Sequence, residues 1–488
     1  MKKIFYYIVG IALMVATTSC KNSWLQLDPT TQVSSNTALS TISDLQYALN
    51  GAYRSMGVHF YLGNYATYYP EVRGEDMQCL KVASRGYSYY TFSQTSADED
   101  VTNRWYLGYQ LTHYLNNIID AIDNSGSFDL TNPTVQGIRS QCLAMRGFNL
   151  FVLTNMFGQS AYSIDPTAAG VVILTSKTAP EFLPTRSTVS ECYNQAIKDL
   201  TESLSGLSKS KANGFINYWA AEGMLSRVYL YMGSTESYAK ALTYSEDIIK
   251  NSPYTLWKNS EYAAVWGDNF STESLFEIFY SDTENVGSEA IGSTYFWDGY
   301  NSMVLTQKYL DLLDQDPNDV RHCFTQIGST KVNTTGKPYY LTKFCGKTGS
   351  VTLPVTPQNT NLVIVRLSEI YLIAAECAFR ANSSANSLTY LNAIVSRANP
   401  SKSVQTSDLN LQRILEEKRR ELVGEGVAGV YDLIRTRGAS GVIDHTGGYH
   451  LAMTNSLIKC NDPLMASPIP SVERTNNLNI TQNKGYSN

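Results

Sequence analysis

The sequence predicts a mostly α-helical protein, in which tetratricopeptide-like helical hairpins are stacked and irregular, loop-rich insertions interrupt the stack. Apolar residues recur at helical spacing through most of the chain; in SDLQYALNGAY, for example, Leu45, Leu49 and Tyr53 share one helix face. Two distant segments, 238–249 and 384–395, also align with each other. Together these patterns favour repeated helical hairpins over a sheet-based fold.

The chain begins with a pattern typical of a bacterial lipoprotein signal. Lys2 and Lys3 precede an apolar stretch over residues 4–16, which is shorter than the roughly 20 residues that span a bilayer. Small residues then lead to Cys20. We therefore expect a signal peptide over 1–19, lipid attachment at Cys20 and one mature domain over 20–488; the alternative is an ordinary secretory peptide with an incidental cysteine.

Composition excludes several classes of function. The 488 residues are 43% hydrophobic and carry a net charge of -5, so a core is expected and a nucleic-acid partner is not. The remaining cysteines and the histidines have no metal-ligand spacing, and no cofactor motif is present. The 34 tyrosines are unusual, because tyrosine serves both in cores and on binding surfaces.

Individual helices are marked by their ends. Ser96 with Glu99, and Thr188 with Glu191, have the spacing of a capping box. A helical pattern from Val135 ends at Gly158.

The internal repeat supports hairpin stacking. YAKALTYSEDII and SANSLTYLNAIV share alanine, leucine, threonine, tyrosine and isoleucine at matching positions, including Tyr244 and Tyr390. A helix rich in small and aromatic residues precedes each segment. The regions at about 58–95 and 252–360 lack this periodicity and are the expected insertions.

Distinctive motifs are spread over nearly the whole chain: WLQLDP after the cysteine, DLQYALNGAY, RGEDM, VRLSEIYLIAAECAFR and ILEEKRRELVGEG. Together they resemble the SusD/RagB family of Bacteroidetes outer-membrane lipoproteins. The closing PIPSVERTNNLNITQNKGY is the most specific of them. EGVAGVYDL departs from the family pattern, because it lacks an arginine before Asp432 and is one residue longer.

The resemblance implies a lipid-anchored protein on the outer membrane at the cell surface, with a SusC-type TonB-dependent transporter as its partner. Such proteins bind a nutrient, usually an oligosaccharide or glycan, and do not catalyse. Their helical repeats support the partner contact and their insertions carry the ligand site.

A sugar-binding site needs aromatic rings flanked by polar side chains. The insertions contain stretches of sequence with this composition. GSTYFWDGYNS is the first candidate, with Tyr295, Trp297, Asp298 and Tyr300. A strand with a buried alternating face would give the same spacing.

Two further stretches offer similar chemistry. EYAAVWGDNF contains Trp266, and YYPEVRGED contains Tyr69, Arg73 and Asp76. The last two could instead form a structural ion pair.

Two other functions remain open at this stage: capture of a peptide or another nutrient, and a scaffold that binds no ligand. Exposure of Trp266, Tyr295, Trp297 and Tyr300 would favour capture, whereas their burial would favour the scaffold. No GxSxG, Walker or HExxH motif points to an enzyme.

Overall fold

The computed structural model describes residues 39–80, 85–179, 181–296, 299–300, 302–327, 338–347, 350–351, 357–446 and 456–487. The α-helices are α1 (Ile42–Met56), α2 (Tyr65–Arg73), α3 (Tyr87–Tyr90), α4 (Glu99–Asn124), α5 (Pro133–Phe157), α6 (Val189–Ser203), α7 (Tyr218–Met232), α8 (Thr235–Asn251), α9 (Ile291–Tyr295), α10 (Gln307–Leu313), α11 (Leu367–Arg380), α12 (Ser384–Ala398), α13 (Leu411–Leu422), α14 (Gly429–Arg437) and α15 (Ser471–Asn476). The strands are β1 (Met77–Cys79), β2 (Ser274–Ile278), β3 (Met303–Leu305), β4 (Thr325–Ile327), β5 (Tyr339–Leu341), β6 (Leu362–Arg366), β7 (Val442–His445) and β8 (Ser456–Lys459).

Stacked helical hairpins form the body of the protein, which confirms the predicted fold class. Helices α4, α5, α6 and α7 pack in succession, and α8 packs on both α7 and α11. The aligned repeats are the second helices of the hairpins α7–α8 and α11–α12. Thr243 and Thr389 occupy equivalent positions and each donates its hydroxyl to the carbonyl four residues earlier.

Small residues bring neighbouring helices close together. A Cβ at Gly108 of α4 would lie 2.6 Å from Leu153 of α5, and a Cβ at Gly147 of α5 would lie 2.7 Å from the Ala196 carbonyl of α6. A side chain at either position would push the helices apart. The close packing therefore depends on these glycines.

The predicted helix ends are partly correct. Thr188 and Glu191 form the predicted capping box at the start of α6. The box predicted for Ser96 and Glu99 is wrong, because α4 begins after Asp98, whose carboxylate instead accepts from the Thr95 backbone and hydroxyl. Helix α5 ends before Gly158 as predicted.

The insertions contain more regular structure than the sequence indicates. Helix α2 lies within the first insertion, and every residue in it is buried. A helix without a polar face has no amphipathic period to detect. Strands in the second insertion pair with distant segments, β3 with β1 and β2 with β6, and the described strands form four two-stranded antiparallel sheets.

A buried ionic network joins the second insertion to the helices. Glu421 of α13 accepts from Arg397 at 2.6 Å, from Arg366 at 2.7 Å and from Arg321 at 3.2 Å. Glu273, beside β2, pairs with the first two of these arginines. Burial alone would raise the pKa of Glu421, but the three guanidiniums hold it well below its usual range.

Candidate functional site

Three of the predicted site residues lie outside the part of the chain that the structure describes. They are Cys20, Trp297 and Asp298. Lipid attachment at Cys20 and ligand contact by the other two remain predictions.

Tyr69, Arg73 and Asp76 are held in the protein interior. The Tyr69 hydroxyl accepts from Ser467 at 3.1 Å, and Arg73 donates to the Leu464 carbonyl at 2.6 Å. Asp76 pairs with Arg419 of α13. Each of the three residues is at most 7% exposed. Their contacts tie α2 and the residues after it to the C-terminal part of the chain. The arrangement matches the structural ion-pair interpretation, although Asp76 pairs with Arg419 rather than with Arg73.

Trp266 and Tyr295 are also buried, so the structure does not support their predicted role as ligand plates. Trp266 is 7% exposed and packs edge-on against Trp257, with ring centroids 5.1 Å apart. Tyr295 is fully buried in α9 and donates its hydroxyl to the Gly424 carbonyl at 3.3 Å. A ring that stacks on a ligand needs a free face, and these rings are covered by protein.

Tyr300 differs from the other predicted aromatic residues, because it remains half-buried at the junction of the two insertions. Its hydroxyl donates to Glu289 Oε1 at 2.5 Å and lies 3.1 Å from the Ser288 hydroxyl. Cζ of Arg85, from the first insertion, lies 3.3 Å from the centroid of the Tyr300 ring. Arg85 also donates to Glu289 at 2.6 Å.

Two more side chains of the first insertion complete what we term the Tyr300 cluster: His59, Tyr65, Arg85, Glu289 and Tyr300. Phe60 packs between the first two, with ring centroids 4.1 Å from His59 and 5.1 Å from Tyr65. Burial lowers the pKa of His59, and Arg85 lowers it further while Glu289 opposes the shift. Burial raises the pKa of Tyr65 to about 12.

Buried Asn64 fixes the position of the Glu289 segment. Its side-chain nitrogen donates to the Glu289 carbonyl at 2.6 Å and to the Thr294 hydroxyl at 2.9 Å. The amide thus ties the first insertion to the second directly beneath the cluster. Rigid support of this kind keeps exposed groups pre-organised.

The cluster offers the chemistry that an uncharged polyol requires. Arg85 and Glu289 are 28% and 22% exposed, and their charges offset each other. Tyr65 is only 5% exposed and the Arg85 guanidinium covers one face of the Tyr300 ring. Stacking on the apolar face of a sugar would therefore use the other face of Tyr300, while Arg85 and Glu289 bond the hydroxyls. Sequence reasoning found Tyr300 but missed Arg85, His59 and Glu289, because only the folded chain brings the two insertions together.

Two kinds of feature are missing from the described residues. No group of three or more His, Cys, Asp or Glu side chains there could hold a metal ion. Every helix within the same residues is too short or too polar to cross a membrane.

The fold and the cluster define a helical-repeat protein whose two insertions bring aromatic and charged side chains together. Two family models match consecutive parts of the chain: one described as "Starch-binding associating with outer membrane" over residues 23–230, and the SusD family over residues 226–486. The chain belongs to the SusD family.

Solved structures and curated relatives agree with this assignment. A SusD superfamily protein from Bacteroides thetaiotaomicron is 37% identical, with a TM-score of 0.84 over 91% of this chain and 99% of that one. A Bacteroides vulgatus protein, named for suspected sugar binding, is 33% identical, with a TM-score of 0.83 over 92% of this chain and 100% of that one. SusD-like protein P2 of Formosa agariphila is 24% identical over the full length of both chains.

Proposed function

We propose that this protein captures a glycan at the cell surface through the Tyr300 cluster and delivers it to a SusC-type TonB-dependent transporter. The observation that carries the proposal is the convergence of Arg85, Glu289 and Tyr300 from two separate insertions in a half-exposed cluster. The sugar-binding name of the B. vulgatus relative supports a glycan as the ligand. The protein acts as a binding protein and not as an enzyme.

Attachment to the outer membrane through lipid on Cys20 belongs to the same proposal. The description of the family model that matches residues 23–230 supports the outer membrane as the location. A tether there places the cluster beside the transporter that receives the ligand.

The test is titration calorimetry of the mature chain, starting after Cys20, against soluble plant, host and microbial glycans. Tyr300→Ala is expected to weaken binding of the glycan that the wild type selects, because it removes the ring and the hydroxyl bonded to Glu289. Tyr47→Ala is the matched control, since Tyr47 is 74% exposed on α1 and lies outside the cluster. Trp297→Ala tests the predicted contact outside the described residues.

A scaffold that binds no ligand is the second candidate function, and the burial of Trp266 and Tyr295 favours it. Under this alternative no glycan binds, and the chain co-purifies with the transporter regardless of Tyr300. Glycan binding that Tyr300→Ala leaves unchanged would reject the cluster as the site but retain glycan capture.

A further inference from the structure

A groove of about 170 Å³ lies near the Tyr300 cluster and shares none of its side chains. It lies between the C-terminal half of α1, the loop around Gly214 and the chain that leaves β2. Its floor is aromatic and its rim carries exposed polar side chains.

Two phenylalanine rings are exposed in the groove and are held in fixed positions. Phe215 is 40% exposed and packs edge-on against Tyr53, with centroids 5.2 Å apart. Phe279 is 48% exposed; its ring lies 5.4 Å from the Phe270 ring and 4.9 Å from Lys347 Nζ. Exposure of an apolar ring to water is unfavourable, and neighbouring side chains hold these two rings in one orientation. Exposed rings of fixed orientation are what stacking on a ligand requires.

The backbone beside the two rings takes unusual conformations at two positions. Gly214 has φ 76°, and a Cβ there would lie 3.2 Å from the Phe279 Cβ. Phe270 has φ 52°, a strained value for a bulky residue, and its N–H is held by Glu277 at 2.6 Å. Strain of this kind concentrates at ligand-binding positions.

Polar groups line the rim of the groove. Arg54 is exposed on this rim. Asn50, Asn213 and Glu284 are exposed beside it. Amides, a carboxylate and a guanidinium around an aromatic floor repeat the chemistry of the Tyr300 cluster.

The groove and the cluster are neighbours along two chain segments. Gly57 lines the groove and His59 belongs to the cluster, so their Cα atoms are at most about 7 Å apart. Glu284 lines the groove and Glu289 belongs to the cluster, five residues further on. Tyr280 links the two segments by donating its hydroxyl to the Gly57 carbonyl at 2.6 Å.

We propose that the groove is a second sugar subsite and that the ligand is an oligosaccharide long enough to contact Phe279 and Tyr300 at once. This inference rests on the proposed function, because it assumes glycan capture at the Tyr300 cluster. Two adjacent subsites on one rigid body bind a long ligand more tightly than either subsite alone, since the second contact is intramolecular.

The experiment uses size-fractionated oligosaccharides, from disaccharides to decasaccharides, prepared from starch, xylan, inulin, arabinan and pectic galactan. They are immobilised and probed with the mature chain and its variants. For the series that the wild type binds, we expect affinity to rise with length and Phe279→Ala to weaken binding of the long members roughly three- to tenfold. Phe279→Ala should leave short members unaffected, and Phe279→Tyr should preserve long-chain binding because it keeps the ring.

The matched control is Phe182→Ala, since Phe182 is 53% exposed and lines neither the groove nor the cluster. Equal binding of long members by Phe279→Ala and by Phe182→Ala would overturn the inference and leave glycan capture intact. Affinity that does not rise with length would also overturn it. Absence of binding to every series would overturn the proposed function and this inference with it.

Discussion

Replacement of Glu421 by glutamine is expected to lower the free energy of unfolding by roughly 3–5 kcal/mol, the cost of breaking a buried ion pair. The Glu421 carboxylate is fully buried and lies 2.6 to 3.2 Å from nitrogens of Arg397, Arg366 and Arg321. A neutral amide leaves these guanidiniums with one countercharge fewer in a medium that solvates charge poorly. The amide also retains the shape of the side chain, so the loss reports charge rather than packing.

Urea unfolding of the mature chain, followed by tryptophan fluorescence, measures the effect. Glu261→Gln is the control, because Glu261 is 49% exposed and pairs with Lys258 at 3.2 Å. An exposed pair of this kind contributes about 0–1 kcal/mol. If Glu421→Gln costs no more than Glu261→Gln, the network does not stabilise the junction between the second insertion and the helices.

The pH dependence provides an independent check on the same residue. The pKa of Glu421 in the folded chain is held well below the usual glutamate value of about 4.5. The unfolded chain therefore takes up the proton first as pH falls, and the stabilisation present above about pH 4.5 is lost as pH decreases toward the folded pKa. Glu421→Gln should flatten this part of the curve of unfolding free energy against pH. An unchanged curve would contradict the lowered pKa of Glu421.

Three further predictions, two of them with a control substitution, concern other parts of the fold. Thr188→Ala should lower the free energy of unfolding by about 1 kcal/mol, because it removes a helix cap. Ser96→Ala, which removes no cap, should change that free energy by less than about 0.5 kcal/mol. Urea denaturation measures both. Gly147→Ala should lower the free energy of unfolding by about 1–3 kcal/mol in the same assay, because the added Cβ meets the Ala196 carbonyl. Gly51→Ala in α1 is the control: no atom lies near the added Cβ, so this change should leave the free energy of unfolding unchanged or raise it. Burial raises the pKa of Glu71 to about 8, so the folded chain keeps a proton that the unfolded chain loses near pH 4.5. The free energy of unfolding should therefore fall as pH rises from about 4.5 to 8. Glu71→Gln should remove that decline, as measured by thermal unfolding at a series of pH values.

Sequence reasoning succeeded where a residue's environment follows from local spacing. Leu45 and Leu49 are fully buried on the predicted face of α1, and Thr188 caps α6 as predicted. Local spacing could not reveal α2, because a helix buried on all sides has no polar face to mark its period. The capped start of α6 and the repeat were therefore predictable, but the structure inside the insertions was not.

The candidate site, too, could be predicted only in part from the sequence, but for a different physical reason. Tyr69, Tyr295 and Tyr300 look alike as loop aromatics in the sequence, yet two are fully buried and one is half-buried. What separates them is the set of partners brought by distant segments, such as Gly424 for Tyr295 and Arg85 for Tyr300. Exposure is thus a property of the assembled insertions, which spacing within one of them does not encode.

The Tyr300 cluster also depends on both insertions at once, and this constrains how a binding preference could change. Arg85 comes from the first insertion, whereas Glu289 and Tyr300 come from the second; Asn64 joins the two from beneath. Replacing only the cluster side chains of one insertion would remove part of the polar groups without disturbing the stacked helices, because the glycine contacts between those helices and the buried network around Glu421 are left intact. Under the proposed function, a change of cluster side chains confined to one insertion should therefore weaken binding, whereas a changed ligand preference requires paired changes in both insertions.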